Sequence, residues 1–225
     1  MGRINTRLLA VAGVFAMGAT LLGGCAEEEP PVAYKPVLYL YPSQPQSLDI
    51  GFDFDGKVTT SYPELAAAPG VDGAWRVEAG ADGVLTDARG RSYPYLFWEG
   101  VPETEFVQRE GTVVARDEVV PFLERALAAQ GLNDLEAADF ITFWAPRIQA
   151  NDYSLISFVT DQYAPIARYS FTDFAGDEMA PDTFIRVYMV FSKAQASTSV
   201  PAQVFGPAPV RTGFTAVEWG GSELD

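Results

Sequence analysis

The chain has 225 residues, 48% hydrophobic and 13% aromatic, which suits one large or two small folded domains and argues against low-complexity disorder. Thirty acidic against 15 basic side chains give a formal charge of −15, which disfavours nucleic acid and anionic lipid as partners. Because the sequence contains no histidine, it excludes Ser-His-Asp and Cys-His catalysis, imidazole general bases and histidine metal sites. We expect no cofactor and no resident metal ion.

The N-terminus has the plan of a secretory signal peptide, predicted here over residues 1–24. Two arginines in the first seven residues precede an apolar run at residues 8–22, which is shorter than the roughly 20 apolar residues that span a bilayer. A leucine and two glycines at residues 22–24 then stand before Cys25. This pattern resembles the lipobox of bacterial lipoproteins. The resemblance implies cleavage before Cys25 and attachment of acyl chains, including palmitate, to that residue.

The predicted mature protein begins at Cys25 and continues through a lipidated tether over residues 25–35. Loss of two signal arginines leaves 13 basic against 30 acidic groups and changes the formal charge from −15 to −17. Acyl chains on Cys25 would bind the membrane. In lipoproteins of this kind the residue after the cysteine influences sorting, and Ala26 is not the aspartate associated with inner-membrane retention, so the resemblance implies the outer membrane in a cell with two membranes. The alternative is an ordinary signal peptide followed by a chance cysteine. Cys25 is the only cysteine, so no disulfide is expected.

The first part of the mature chain indicates β-structure. Residues 37–41 form an apolar and aromatic run between prolines, which favours a buried strand. Residues 48–62 alternate apolar and polar side chains on both sides of Asp55 and Gly56, which predicts a hairpin whose three-residue loop places Gly56 in the left-handed region. Residues 75–79, 83–86 and 91–99 predict a three-stranded meander.

The spacing of apolar residues becomes helical in the middle of the chain. Residues 117–130 predict a helix that stops at Gly131, and Asn133 with Glu136 predicts a capping box for a second helix. Such a short connection is typical of an αα-hairpin. Further strands are expected at residues 153–159, 184–191 and 214–219, with an acidic loop at 173–182 and a long surface loop at 194–211.

Strands, then a helical pair, then strands predict an α+β fold. We expect a mostly antiparallel β-sheet with a sandwich-like N-terminal meander and an αα-hairpin packed on one face. Residues 36–225 are predicted to form a single globular domain with a possible sub-boundary near 101–116. The alternative is two small domains, a β-sandwich up to about Val101 and an α+β unit after it.

Two motifs place a glutamate beside a tryptophan and a glycine at the end of a predicted strand. The first contains Trp98 and Glu99, and the second contains Glu218 and Trp219. An aromatic face beside a carboxylate suits a sugar ring, so these four residues are the predicted ligand-binding residues. A pair of carboxylates at a suitable separation also permits glycoside hydrolysis. The plainer alternative is that both tryptophans are core residues and both glutamates lie at strand ends in water.

Three stretches of the mature chain resemble a family of uncharacterised bacterial secreted proteins and lipoproteins. They are residues 35–42 (KPVLYLYP), residues 95–100 (YLFWEG) and residues 218–221 (EWGG). The resemblance implies that the two tryptophan–glutamate motifs share one domain, and it brings no activity or site with it.

The expected function is a binding or structural role of an envelope-anchored lipoprotein domain, at the cell surface or in the periplasm. A glycan or an envelope protein is the expected partner, and no catalytic residue is assigned. One alternative is a hydrolase of envelope glycan that uses Glu99 and Glu218. Another is a Ca²⁺-dependent adhesion module that uses the acidic loop at residues 173–182.

Overall fold

The computed structural model describes residue 2 and residues 34–224. Cys25, residues 25–33 of the expected tether and nearly all of the expected signal therefore lie outside the described residues. Residues 34 and 35, which were expected in the tether, belong to the first strand instead, because β1 spans Tyr34–Tyr41. The folded part thus begins two residues before the predicted domain boundary at residue 36.

Twelve strands and three α-helices are assigned within the described residues. The helices are α1 (Val119–Ala129), α2 (Asp134–Ile148) and α3 (Thr160–Tyr163). The strands after β1 are β2 (Gln46–Phe54), β3 (Gly56–Tyr62), β4 (Gly73–Ala79), β5 (Leu85–Thr86), β6 (Ser92–Tyr93), β7 (Leu96–Pro102), β8 (Thr112–Ala115), β9 (Tyr153–Phe158), β10 (Ala167–Thr172), β11 (Thr183–Lys193) and β12 (Thr215–Leu224).

The strands form two sheets. One has seven strands in the order β3-β7-β1-β12-β11-β9-β8, and the other has five in the order β10-β2-β4-β5-β6. One apolar core lies between the two sheets, and a second lies between the seven-stranded sheet and helices α1 and α2. The α+β class and the sandwich-like arrangement of sheets are confirmed.

The seven-stranded sheet joins both halves of the sequence. Strands β1, β3 and β7 precede the expected sub-boundary at residues 101–116 or reach its edge, whereas β9, β11 and β12 follow it. Strands β11 and β12 are parallel, while the other pairs in the two sheets are antiparallel. Residues 194–214 connect these parallel strands without a helix, which is unusual for a crossover between neighbouring parallel strands.

The predicted hairpin of β2 and β3 is wrong. Both segments are strands, but β2 pairs with β4 and β10 whereas β3 pairs with β7, so the chain changes sheets at Asp55. Gly56 does not have a positive φ. It is required for space, because a Cβ there would lie 2.3 Å from the carbonyl oxygen of Val101. Alternating apolar residues had indicated a buried face correctly, but they do not identify the partner strand.

The predicted third strand of the meander, residues 91–99, is divided between the two sheets. Strand β6 pairs with β5, as expected for a meander, and β7 then pairs with β1 and β3 in the other sheet. The change of sheet occurs at Pro94, which has no N–H group to donate to a continuous ladder. Sequence analysis also missed β10 and α3.

Helix α2 begins with the predicted capping box. The Asn133 side chain accepts hydrogen bonds from the N–H groups of Leu135 and Glu136, and the Glu136 carboxylate accepts from the N–H of Asn133. Glu136 is fully buried and pairs with Arg211 from the connection between β11 and β12. Gly131 precedes this cap with a φ of 93°, which agrees with its predicted role as a helix stop.

Candidate functional site

The register of the central strands places Trp98 and Glu218 on the same face of the seven-stranded sheet. Leu38 of β1 pairs with Glu218 on one side and with Leu96 on the other. Directly opposite residues share a face, and residues two apart along a strand do too. Trp98, two residues after Leu96, therefore points with Glu218 into the core between the sheets.

The other two motif residues lie on the opposite face. Val37 pairs with Trp219 and with Phe97, and Glu99 follows Phe97 by two residues. Trp219 and Glu99 therefore face the helical layer. The two motifs are neighbours in one sheet, but each tryptophan shares a face with the glutamate of the other motif, and the two carboxylates lie on opposite sides of the sheet.

Glu218 is a buried carboxylate whose oxygens are fully engaged. Its Oε1 accepts hydrogen bonds from the hydroxyls of Tyr163 at 2.7 Å and Tyr169 at 2.6 Å, and Arg186 Nε donates to Oε2 at 2.6 Å. Trp98 Nε1 donates to the Tyr169 hydroxyl at 2.8 Å, so it joins the same network. Glu218 and Trp98 both have no exposed surface.

The surroundings of Glu218 indicate a structural ion pair. Arg186 also donates hydrogen bonds to the carbonyl oxygens of Ala164 and Ala167. Burial, followed by the charge of Glu218, raises the pKa of Tyr163 well above its ordinary value. A carboxylate that is fully buried and accepts three hydrogen bonds from the protein has no surface that a substrate could reach.

Three of the four predicted ligand-binding residues are therefore core residues. Trp98, Glu218 and Trp219 each have an exposed fraction of 0%, so no ligand can stack on or bond to them in this structure. The expectation that they contact a ligand is corrected by their burial. The plainer alternative was correct for both tryptophans and wrong for Glu218, which lies in the core and not in water.

Glu99 is the motif residue that remains partly exposed. Its Oε1 accepts a hydrogen bond from the backbone N–H of Lys35 at 3.2 Å, at a point where Lys35 has a φ of 49°. The Lys35 Nζ lies 5.0 Å from the ring centroid of Phe143 and 5.4 Å from that of Trp219. Burial lowers the pKa of this amino group, and Asp139 and Glu99 act in the opposite direction.

Aromatic side chains continue this surface along β7. Tyr95, directly before β7, and Phe97 and Glu99 within it lie on the helix-facing side and are each partly buried, whereas Leu96 and Trp98 between them are buried on the other side. With Lys35 and Phe143 they form what we call the Lys35 surface. The structure adds Lys35 and Phe143 to the predicted site residues. The sequence does not mark either as a binding residue, because neither a lysine before the run at residues 36–42 nor an aromatic residue in a helix is specific to a binding site.

A hydrogen-bonded pair of side chains lies next to the Lys35 surface and supports it. The Tyr39 hydroxyl donates to Asp139 Oδ2 at 2.8 Å, and the rings of Tyr39 and Tyr95 meet edge to face at 5.2 Å. Burial raises the pKa of Tyr39 far above its usual range. The surface can therefore present aromatic rings and one accessible carboxylate to a ligand on a rigid base.

The acidic loop uses its carboxylates to cap turns. Asp173 Oδ1 accepts from the N–H groups of Ala175 and Asp177, and Asp182 Oδ2 accepts from the N–H of Phe214. Among residues 34–224 no group of three or more acidic or cysteine side chains is arranged to hold a metal ion. The loop does not assemble the six to eight oxygen ligands that Ca²⁺ takes.

Comparison with protein-family models, with curated proteins and with solved structures finds no match to this chain. Within residues 34–224 no helix is long and apolar enough to cross a membrane. The residues that would carry a lipid anchor, Cys25 and those around it, lie outside the described part.

Proposed function

We propose that the protein is an exported, envelope-anchored lipoprotein, held at a membrane by acyl chains on Cys25. The observation that carries this proposal is the sequence of residues 1–25: a basic start, an apolar run, and a leucine and two glycines directly before the only cysteine. Two or more acyl chains give stable anchoring, since each buried CH₂ contributes about 0.8 kcal/mol. Ala26 favours the outer membrane where a cell has two.

The short distance between the anchor and the fold supports a role at the membrane surface. Strand β1 begins at Tyr34, nine residues after Cys25. Nine residues span at most about 30 Å. The start of β1, and with it the Lys35 surface, would therefore stay close to the bilayer, where envelope glycans and envelope proteins are the available partners.

The Lys35 surface supports a binding role. The CH groups of a sugar stack on aromatic rings such as Tyr95 and Phe97, and a carboxylate such as Glu99 accepts bonds from its hydroxyls. The large negative charge of the mature chain favours a neutral ligand over an anionic one. We assign the domain a non-catalytic role in which this surface binds a neutral glycan of the envelope.

Two finer features belong to the same proposal. We interpret α1 and α2 as one αα-hairpin that covers one face of the seven-stranded sheet and forms a wall of the Lys35 surface through Phe143. We also assign the chain to the uncharacterised secreted proteins and lipoproteins that its 35–42, 95–100 and 218–221 motifs resemble. Neither feature adds an activity.

The glycoside hydrolase alternative meets a geometric obstacle. A retaining or inverting mechanism needs two carboxyl groups about 5 to 10 Å apart across one cleft. Glu99 and Glu218 lie on opposite faces of the sheet, and Glu218 is buried with its oxygens engaged. For the Ca²⁺ alternative, the carboxylates of Asp173 and Asp182 are occupied by backbone N–H groups.

The anchor is tested by expressing the full chain with Cys25→Ser and by following its fractionation and its incorporation of labelled palmitate. We expect the unchanged chain to incorporate label and to sediment with membranes, and Cys25→Ser to lose both properties. Ala33→Ser is the matched control and should behave like the unchanged chain. Membrane association of Cys25→Ser without any label in either chain would contradict the proposal.

A further inference from the structure

A cleft of about 290 Å³ opens at the end of β9. Its walls come from three separated segments, residues 107–110, 158–162 and 201–203. Small-molecule sites start at about 300 Å³, so a cleft of this size suits a small ligand. It is formed entirely by described residues, and its geometry does not depend on acylation of Cys25.

Two glutamine side chains hold the walls of this cleft in place. The Gln162 amide accepts from the N–H of Val107 and donates to its carbonyl oxygen, both at 2.9 Å. The Gln203 amide does the same to Phe158, accepting at 2.8 Å and donating at 2.6 Å. Each amide donates to and accepts from the backbone of one residue, as a neighbouring strand does in a β-sheet. The cleft is therefore preorganised, and a ligand does not have to order its walls on binding.

The charged side chains of the cleft are not paired with each other. Within the described part of the chain, Arg109 and Asp161 make no hydrogen bond through their side chains and no ion pair, and both are exposed. The Glu110 side chain accepts one hydrogen bond, from the Gln203 amide at 3.2 Å. Two opposite charges that line one cleft without meeting leave a gap that a ligand with both charges can bridge.

Apolar side chains line the same cleft as these charges. Val107 is 48% exposed although it is a valine, and Phe158, Val159 and Pro201 form the rest of the apolar lining. An exposed valine beside free charges is the arrangement that a ligand with an apolar side chain and charged ends would complement.

We propose that this cleft binds a small zwitterion with one ammonium, one carboxylate and an apolar side chain, either a free amino acid or a short peptide. Arg109 binds the carboxylate through its planar guanidinium, which matches a carboxylate in two parallel hydrogen bonds. Asp161 and Glu110 accept from the ammonium. Val107 and Pro201 contact the apolar side chain.

The test measures binding of L-valine and of the dipeptide Val-Val to the full chain purified in detergent, by isothermal titration calorimetry. Saturable binding of one or both below about 10 mM supports the proposal, and the stronger of the two identifies the source of the zwitterion. N-acetylated and C-amidated forms should each bind at least about fivefold more weakly, since each removes one charge. No saturable binding, or equal binding of the blocked forms, would overturn it.

Variants locate the binding in the cleft. Arg109→Gln and Asp161→Asn should each weaken binding at least about fivefold, whereas the controls Arg125→Gln and Glu124→Gln, on the exposed side of α1, should not change it. Unfolding curves of the variants establish that they are folded. Equal weakening by the control variants, or no change in Arg109→Gln, would place the binding elsewhere and overturn the assignment.

Discussion

Glu218 carries a charge without any contact with water, and the protein stabilises that charge with one arginine and two tyrosines. Taking a carboxylate and a guanidinium out of water is unfavourable, and their attraction offsets this only when the geometry is good and every hydrogen bond is made. Arg186 has this arrangement, because it donates to the Glu218 carboxylate and to two backbone carbonyl oxygens. The network connects β10, β11 and β12 with the short helix α3, so it joins the two sheets.

Removal of the Glu218 charge should therefore make the folded protein less stable. We expect Glu218→Gln to lower the free energy of unfolding by about 3 kcal/mol, because Arg186 would remain a buried charge without a counter-charge. Urea denaturation measures the difference. Glu223→Gln, an exposed position on the same strand, is the control and should change it by less than about 0.5 kcal/mol. Equal effects of the two variants would contradict a structural ion pair at Glu218.

Buried tyrosines predict a loss of stability in alkali. Burial raises the pKa of Tyr163 and Tyr188 above the ordinary value of 10.0, so the unfolded chain loses these protons first as the pH rises. Their contribution to stability is complete below pH 10 and decreases above it, by about 1.4 kcal/mol per pH unit for each tyrosine. Lys35 has the opposite sign, since its lowered pKa makes its contribution increase with pH up to 10.5.

The alkaline decrease is measured by urea denaturation at several pH values from 9 to 11. In Tyr188→Phe the slope above pH 10 should be smaller by about 1.4 kcal/mol per pH unit, even if the variant is less stable overall. Tyr62→Phe, the same substitution at a position that is 58% accessible, provides the matched control. An equal slope in all three proteins would show that Tyr188 titrates normally.

Glu99 is the residue through which the Lys35 surface should recognise a hydroxyl group. Hydrogen bonds to a charged acceptor are worth about 1 kcal/mol more than those to a neutral one, so Glu99→Gln should weaken retention on immobilised envelope glycan about fivefold. The glutamine can still accept from the N–H of Lys35. Glu103→Gln, in the exposed segment after β7, is the control. Unchanged retention of Glu99→Gln would remove this surface from the proposal.

At the scale of elements, the corner at residues 54–56 determines how the two sheets are joined. A Cβ at Gly56 would lie 2.3 Å from the Val101 carbonyl oxygen and 2.9 Å from the Pro102 Cα, both backbone atoms that cannot move without shifting β7. The glycine thus allows β3 to approach β7 directly after the chain leaves the other sheet.

We therefore expect Gly56→Ala to lower the free energy of unfolding by about 1–3 kcal/mol through overpacking. Gly206→Ala is the matched control, since no atom lies within 4 Å of the added Cβ. It should change stability by less than about 0.5 kcal/mol. Thermal unfolding of the two variants under the same conditions makes the comparison, and similar midpoints would contradict the close approach of β3 and β7.

Interactions between residues that are close in sequence could be predicted, whereas interactions between distant segments could not. The cap of α2 depends on Asn133 and Glu136, three residues apart, and it was recognised from those two residues alone. The partner of β2 depends on strands elsewhere in the chain, and neither its alternation nor Gly56 distinguishes a hairpin from a corner between sheets. Pro94 lacks the N–H of a ladder residue, but this does not indicate that the chain crosses there to another sheet.

The candidate site shows the same difference between local and long-range interactions. Both motifs lie inside their strands and not at the predicted strand ends. A tryptophan beside a glutamate in a strand is compatible with both a core and a ligand surface, because the side chains of adjacent residues point to opposite faces. Register assigns Glu218 to the core and Glu99 to the surface, and register is a property of the assembled sheet. The cleft lined by residues 107–110, 158–162 and 201–203, called the Arg109 cleft below, comes from three distant segments, so no local pattern could indicate it.

At the scale of the whole molecule, the start of the fold and the Arg109 cleft lie at the same end of the seven-stranded sheet. Tyr34 pairs with Gly221, Gly221 with Met189, and Met189 with Phe158, whose strand ends at the cleft. Three strand spacings separate Tyr34 from Phe158, about 15 Å. An anchor at Cys25 would therefore hold both the Lys35 surface and the cleft near the membrane.

The most direct test of the anchored lipoprotein account is the mass of the N-terminal peptide of the protein recovered from the membranes of cells that produce the full chain. The account predicts a mature chain that begins at Cys25 and carries acyl chains on it. An unmodified Cys25, or a mature chain that begins at another residue, would contradict it.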